Sequence, residues 1–172
     1  MEPERLAVIG AASLRYGPTI CGGLAVYFGE RPLEVRFWDG DPERLDLFDR
    51  FARYLFELNK TPHLLLTTDD PYEAIFGADR VVLALDDHGA ERFREDTTSV
   101  TIVEALRPSF PDGAMVLDLR DDPTIPEPTE EEVRALPHDI MRYLRGDDWA
   151  YALLRECEAS PVKRWLLRGE GS

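Results

Sequence analysis

The sequence predicts an α/β fold: a doubly wound parallel sheet with strand order 3-2-1-4-5 and a helical C-terminal extension. Two observations predict it. The apolar pattern alternates along the chain between short strand-like runs and stretches at helical spacing, as layered α/β domains require. The first apolar run, Leu6-Ala7-Val8-Ile9, leads straight into a turn of small residues, Gly10-Ala11-Ala12-Ser13, and the second ends in an acid, Trp38-Asp39. Right-handed crossovers then give the stated order, with a ligand crevice where strands 1 and 4 diverge.

Each element has its own signal. After the first strand, Pro18 to Phe28 is apolar enough for a helix packed on the sheet, with Gly22-Gly23 inside it. Those glycines cost helix stability, about 1 kcal/mol each relative to Ala, so close helix–strand packing is expected there. Glu34 to Trp38 is the second strand. Asp41 is a plausible N-cap with Pro42 at the first helical position, and Leu45, Phe48, Phe51, Ala52, Leu55 and Leu58 recur at helical spacing through Asn59. Leu64 to Thr67 is the third strand. Asp70-Pro71-Tyr72-Glu73 has the form of a capping box before a helix that stops near Gly77. Arg80 to Leu85 reads as a continuous apolar strand of the kind buried on both faces. A helix over Ser99 to Arg107 and a fifth strand over Ala114 to Leu119 complete the sheet.

Beyond Asp121-Asp122-Pro123 the chain changes character, which divides it into a sheet domain, 1–125, and a helical extension, 126–172. Thr129-Glu130-Glu131-Glu132 is a second capping box, and helices are expected over His138 to Leu144, Asp148 to Glu158 and Pro161 to Leu167. Trp149, Tyr151, Leu153, Leu154, Trp165, Leu166 and Leu167 need an apolar surface. The extension therefore packs either on its own chain or on a partner, as a homodimer through these C-terminal helices.

The chain has 172 residues, 44% of them hydrophobic, enough for one good core. With 34 acids against 20 bases the net charge is −14, a field that repels nucleic acid. No apolar run approaches the ~20 residues that span a bilayer, and the N-terminus has no apolar leader. A cytoplasmic protein with no membrane and no nucleic-acid partner is expected. Two distant cysteines in unlike contexts suggest thiols rather than a disulfide.

The first strand and its turn have the form of a Rossmann unit. Such a turn brings backbone N–H groups and a helix N-terminus toward a pyrophosphate, and an acid after the second strand takes the ribose hydroxyls. The expected ligand is a dinucleotide. Ala12 and Arg15 stand where the motif's second and third glycines would be, so the turn must differ from the standard one, and Gly22-Gly23 are candidates for the packing that Arg15 cannot supply. Asp39 sits at about the expected distance for ribose binding, or is a solvated turn acid. Arg44 either pairs with Asp41 or, facing the ribose, favours a 2′-phosphate.

Asp86-Asp87-His88 after strand 4 and Asp121-Asp122 after strand 5 converge on the crevice. They are either solvated acidic loops or oxygen and imidazole donors for a cation; no metal is expected. Ser13 lacks a G-x-S-x-G elbow, which argues against a hydrolase triad. His63 and His138 have no metal-ligand spacing with another His or Cys.

Three blocks carry a resemblance: Gly10-Ala11-Ala12-Ser13-Leu14-Arg15-Tyr16; Phe37-Trp38-Asp39-Gly40-Asp41-Pro42-Glu43-Arg44-Leu45; and Thr67-Thr68-Asp69-Asp70 with Glu73-Ala74-Ile75-Phe76-Gly77-Ala78-Asp79. In order and spacing they resemble the N-terminal, NAD-binding half of the family 4 glycoside hydrolases, the α-glucosidase, α-galactosidase and 6-phospho-glucosidase type, over roughly residues 5 to 86. The resemblance implies NAD as cofactor, with NADP also open, and a cofactor set of Gly10, Ala11, Ala12, Ser13, Asp39, Arg44, Leu85 and Asp86. It also implies glycosidase chemistry by hydride removal, proton abstraction and elimination, with a metal held by a Cys and a His. Neither ligand can be placed here: Cys21 lies in the first helix and Cys157 in the tail. The family's catalytic tyrosine belongs to a second domain that the chain, ending at Ser172, is expected to lack.

Three functions follow as expectations. The first is a non-catalytic NAD(H)-binding protein related to these glycosidases. The second is a small NAD-dependent oxidoreductase or partner-completed enzyme, with Asp87 or His88 as catalytic candidates. The third is a scaffold that has lost its ligand and acts as an interaction module.

Overall fold

Successive side chains of a strand face opposite sides of a sheet, and here the two sides hold two separate cores. A computed structural model of the chain describes residues 2–125, 127–135 and 160–170. Strands β1 (Glu4–Ile9), β2 (Leu33–Trp38), β3 (Leu64–Thr67), β4 (Arg80–Leu83) and β5 (Met115–Asp118) form one sheet in the order β3-β2-β1-β4-β5. All four pairings are parallel, with Leu6 opposite both Val35 and Arg80. This is the doubly wound Rossmann-like arrangement expected from the sequence.

Leu6 and Val8 of β1 join Val35 and Phe37 of β2 in one core, covered by α1 (Gly17–Ala25) and α2 (Pro42–Asn59). Ala7 and Ile9 face the other way and join Trp38, Val81 and Leu83 beneath α3 (Pro71–Ile75) and α5 (Ser99–Leu106). Asp41 caps α2 as expected, accepting the Glu43 and Arg44 N–H groups, and the helix ends where Lys60 turns left-handed at φ 54°.

Several boundaries differ from the sequence reading. The first helix stops at Ala25, leaving Tyr27 buried and Phe28 exposed. Strand 4 ends at Leu83 because its partner β1 ends at Ile9; Ala84 still donates to the Ile9 carbonyl at 2.8 Å. The strand is not wholly apolar either. Arg80 is 1% exposed and pairs with Glu4, which also faces Arg31 at 3.6 Å. At α3 the capping box is modified: the Thr68 hydroxyl accepts the Asp70 N–H at 3.1 Å and donates to Glu73 at 3.0 Å. A helix absent from the sequence reading, α4 (Asp87–Phe93), follows strand 4 and is capped by Asp86, which accepts the Gly89 N–H.

The last described helix, α6 (Pro161–Glu170), lies on α1. Val162 and Leu166 are fully buried in the α1–α2 core, Leu167 is exposed, and the Arg80 guanidinium lies 5.1 Å from the centre of the Trp165 ring. Gly23 serves this helix–helix contact and not the expected helix–strand one, since a Cβ there would lie 2.4 Å from Ser160 Oγ. The helices expected over 138–144 and 148–158, with Trp149, Tyr151, Leu153, Leu154, His138 and Cys157, lie outside the described residues. Among the described residues no helix is long and apolar enough to cross a membrane.

Candidate functional site

The carboxyl ends of β1 and β4 meet at Gly10. Its φ is +99°, and a Cβ added there would lie 2.1 Å from the Leu85 amide nitrogen. Only glycine satisfies both demands, because the backbone cannot yield and L-residues avoid this φ. The Gly10 and Ala11 N–H groups donate to the Trp38 carbonyl at 2.8 and 3.1 Å, Ala12 N–H donates to Asp39 Oδ2 at 3.0 Å, and Ser13 N–H donates to the Gly10 carbonyl at 3.3 Å. The turn then runs on to Gly17 before α1 begins, with Ser13 Oγ accepting the Tyr16 N–H and the Ser13 carbonyl accepting the Gly17 N–H.

This lengthened turn explains how Arg15 is accommodated. Its guanidinium donates twice to the Ile125 carbonyl, at 3.1 and 2.8 Å, and once to Glu127 at 3.4 Å. Close packing of α1 falls instead to Gly17, where a Cβ would lie 2.4 Å from the Phe48 ring. The sequence signal was Gly17 ahead of Pro18, a helix start preceded by a residue with no side chain.

Asp39 stands at the end of β2, as expected, but only 5% exposed. One oxygen accepts Ala12 N–H and the other accepts Asp41 N–H at 3.0 Å. Burial pushes its carboxyl up to about 6; the two N–H donors oppose this, and the nearby Asp86 and Asp41 charges add to it. Asp39 thus ties the glycine turn to the start of α2.

Asp41 is shared more widely. Besides capping α2 it accepts from His88 Nε2 at 2.7 Å, and Arg44 and Arg92 each approach to 3.9 Å. Burial raises its carboxyl, but the His88 and Arg44 N–H bonds and the cationic neighbours outweigh it, leaving the group below the usual range. A carboxylate can only accept, so the His88 proton in this contact is on Nε2.

The acids after strand 4 hold backbone N–H groups at helix starts, Asp86 as the cap of α4 and Asp87 from within α4. Asp86 holds the Gly89 N–H at 2.7 Å and Asp87 holds the Ser99 N–H at 2.9 Å. Asp122 holds both the amide and the hydroxyl of Thr124. Among the described residues, no three of His, Cys, Asp and Glu are grouped to hold a metal ion. Cys21 lies buried inside α1, its sulfur 4.0 Å from the Phe48 carbonyl. Among the described residues Cys21 is the one cysteine, and its burial in α1 keeps it from the crevice. His63 is structural: Nδ1 accepts Leu33 N–H, so Nε2 donates to the Tyr27 carbonyl, and burial lowers its pKa.

Two cavities open at this edge of the sheet. The larger, about 510 Å³, is lined by Arg15, Arg44, Leu85, Asp86, His88 and Arg120 among others. The smaller, about 440 Å³, lies over β2 and β3, between Asp39, Gly40, Thr67 and Thr68 on one side and Arg92 and Phe93 on the other. Sequence reading missed Arg120, which forms a two-pronged pair with Asp118 at 2.9 and 2.7 Å. It also missed the facing glycines Gly40 and Gly89. An isolated glycine within a helical stretch was the available signal for Gly89.

No family model and no curated protein matches the chain. Solved structures do. The 6-phospho-beta glucosidase from Thermotoga maritima in its monoclinic form aligns with a TM-score of 0.54 at 21% identity, covering 69% of this chain and 35% of that one. Its tetragonal form with manganese, NAD+ and glucose-6-phosphate gives 0.54 at 21% identity, over 69% and 34%. The tetragonal form with NAD and glucose-6-phosphate gives 0.51 at 22% identity, over 67% and 33%. The likeness is one of fold, in agreement with the resemblance read from the sequence. The chain spans about a third of the length of these solved chains.

Proposed function

We propose that this chain binds a dinucleotide, NAD(H), across the crevice at the ends of β1, β2 and β4. The observation that carries the reading is the Gly10 turn, which leaves no room for a side chain against Leu85 at the point where the strand order reverses. In open α/β sheets this switch point is where ligands bind. The two cavities on this edge each fall within the range of small-ligand sites. The Thermotoga maritima enzyme, similar in fold, was solved with NAD.

In this reading the turn from Gly10 to Ser13 lets the pyrophosphate approach closely, Asp39 exchanges its Ala12 amide partner for a ribose hydroxyl and so frees that N–H for the phosphate, Arg44 lies on the adenosine side after β2, and Leu85 with Asp86 line the nicotinamide side. The role in this reading is one of cofactor binding, which the Gly10 turn and the crevice beside it support. A second reading, a small oxidoreductase, draws on the 2.7 Å contact in which Asp41 orients His88, the relation of a base to its positioning carboxylate.

Calorimetric titration with NAD+, NADH and NADP+ tests the proposal. Micromolar binding of NAD(H) is expected. Arg44→Ala should weaken NADP+ more than NAD+ if Arg44 reaches a 2′-phosphate, and should weaken both equally if it does not. No heat at millimolar ligand would remove the cofactor reading and leave an interaction scaffold.

A further inference from the structure

The two cavities at the crevice are neighbours separated by one short helix. Asp87 and His88 of α4 line the larger, and Arg92 and Phe93 of the same helix line the smaller. Between them Gly89 presses on the end of β2. A Cβ at Gly40 would lie 1.8 Å from the Gly89 carbonyl oxygen, and a Cβ at Gly89 would lie 2.7 Å from Asp39 Oδ1. Two glycines, one on each side, allow α4 to seat this closely.

A dinucleotide bound at a switch point spans the whole edge, with its adenosine beyond β2 and its nicotinamide beyond β4. Here α4 lies across that path and covers Asp39, both of whose oxygens are already accepting N–H groups. The middle of α4 is anchored, with Ala90 buried in the second core and Asp87 holding the Ser99 N–H at 2.9 Å, but its side-chain contacts to the end of β2 and the start of α2 are partly wet. His88 donates to Asp41 at 2.7 Å with 45% of its side chain exposed, Arg92 reaches Asp41 only at 3.9 Å with 50% exposed, and the Phe93 ring meets Trp38 edge-on at 5.1 Å. Partly exposed contacts of this kind open at lower free energy than a buried core does. The chain on either side is not helical: Ala84 to Asp86 run into the helix, Arg94 is extended, and Asp96 is left-handed at φ 57°.

We infer that α4 is a displaceable partition, latched by His88 on Asp41, which must swing away from Asp39 and Gly40 before a dinucleotide can occupy the crevice. The inference rests on the dinucleotide reading. With the latch closed the crevice offers two separate compartments. When it opens they join and Asp39 is uncovered. Apparent affinity is then the intrinsic affinity reduced by the fraction of molecules with α4 open, so breaking the latch must tighten binding.

The test compares the full chain with His88→Ala and Phe93→Ala, which release the two ends of α4. Amide hydrogen exchange over residues 87–93 is measured first without ligand, then NAD+ is titrated calorimetrically. The partition predicts faster exchange confined to 87–93 and an affinity for NAD+ raised about tenfold or more in at least one variant. Unchanged exchange in both variants would overturn the latch. So would faster exchange with NAD+ bound no more tightly than by the unaltered chain, an outcome that leaves the dinucleotide site standing. Absence of heat from all three proteins, with α4 shown to be open, would remove the dinucleotide reading itself and the partition with it.

Discussion

Asp39 is a carboxyl group with little water and two N–H donors, and its pH response follows from that. Its folded pKa, about 6, lies above the ordinary value of 3.8 because burial disfavours the charge. Between those values the folded chain holds a proton that the unfolded chain has released, so this group's contribution to stability falls as pH rises from about 4 to 6. The span corresponds to about 3 kcal/mol, as an order of magnitude. Asp41 and Asp118, whose pKa values are lowered, act in the opposite sense: their contribution is present above the unfolded value and is lost as acid protonates them. Chemical denaturation of Asp39→Asn across this window should therefore show stability falling less steeply from pH 4 to 6 than in the unaltered chain. Identical pH slopes would contradict a buried, protonating Asp39. The position of Asp39 was legible because an acid after the second strand of a βαβ unit is a local pattern. Its burial was not, because the covering atoms come from Gly89, far along the chain. Arg80 shows the same limit more sharply: in sequence it opens an apolar run, and only Glu4 and Trp165 make its burial tolerable.

At the scale of elements, glycines decide how closely helices approach. Gly23 lets Ser160 sit against α1, where the serine hydroxyl donates to the Thr19 carbonyl at 2.8 Å and accepts the Val162 N–H at 3.2 Å, starting α6. Those bonds leave the hydroxyl no room to retreat from a new methyl group. Helix propensity alone would make Gly23→Ala stabilising by about 1 kcal/mol. Overpacking reverses the sign, and a net loss of about 1–3 kcal/mol is expected, with faster hydrogen exchange over 161–170. A gain in stability would mean that α6 does not seat on α1 in this way. The open edge of the sheet is guarded by a comparable long-range device, since Arg53 of α2 donates to the outward Leu65 carbonyl of β3 at 2.8 Å. That contact occupies a ladder group which a foreign strand would otherwise use. Caps at Asp41 and Asp70 were legible from neighbouring residues. The partner of Glu73 was not, because two donors, the Asp70 amide and the Thr68 hydroxyl, compete for its carboxylate within one turn.

For the whole molecule the fold is a parallel sheet with helices on both faces, and a fold hosts many functions. The Thermotoga maritima enzyme of similar fold is a 6-phospho-beta glucosidase, and this chain covers about a third of its length. Under the cofactor-binding reading, the chain supplied with NAD+, Mn2+ and a chromogenic 6-phospho-β-glucoside is expected to show no turnover. Turnover above a protein-free blank would overturn the cofactor-binding reading in favour of an enzyme. The sequence by itself determined the strand order, the two-faced sheet, the glycine turn and the acid at the end of β2. Each of these is written in short windows as a periodicity, a cap or a backbone that only glycine can adopt. Tertiary structure alone decided that α4 divides the crevice, that Arg80 is buried, that Gly17 and Gly23 do the packing, and that Asp39 is covered. These outcomes depend on which surfaces meet across tens of residues, and the distance between two side chains after folding is a property of the packed whole that no local pattern encodes.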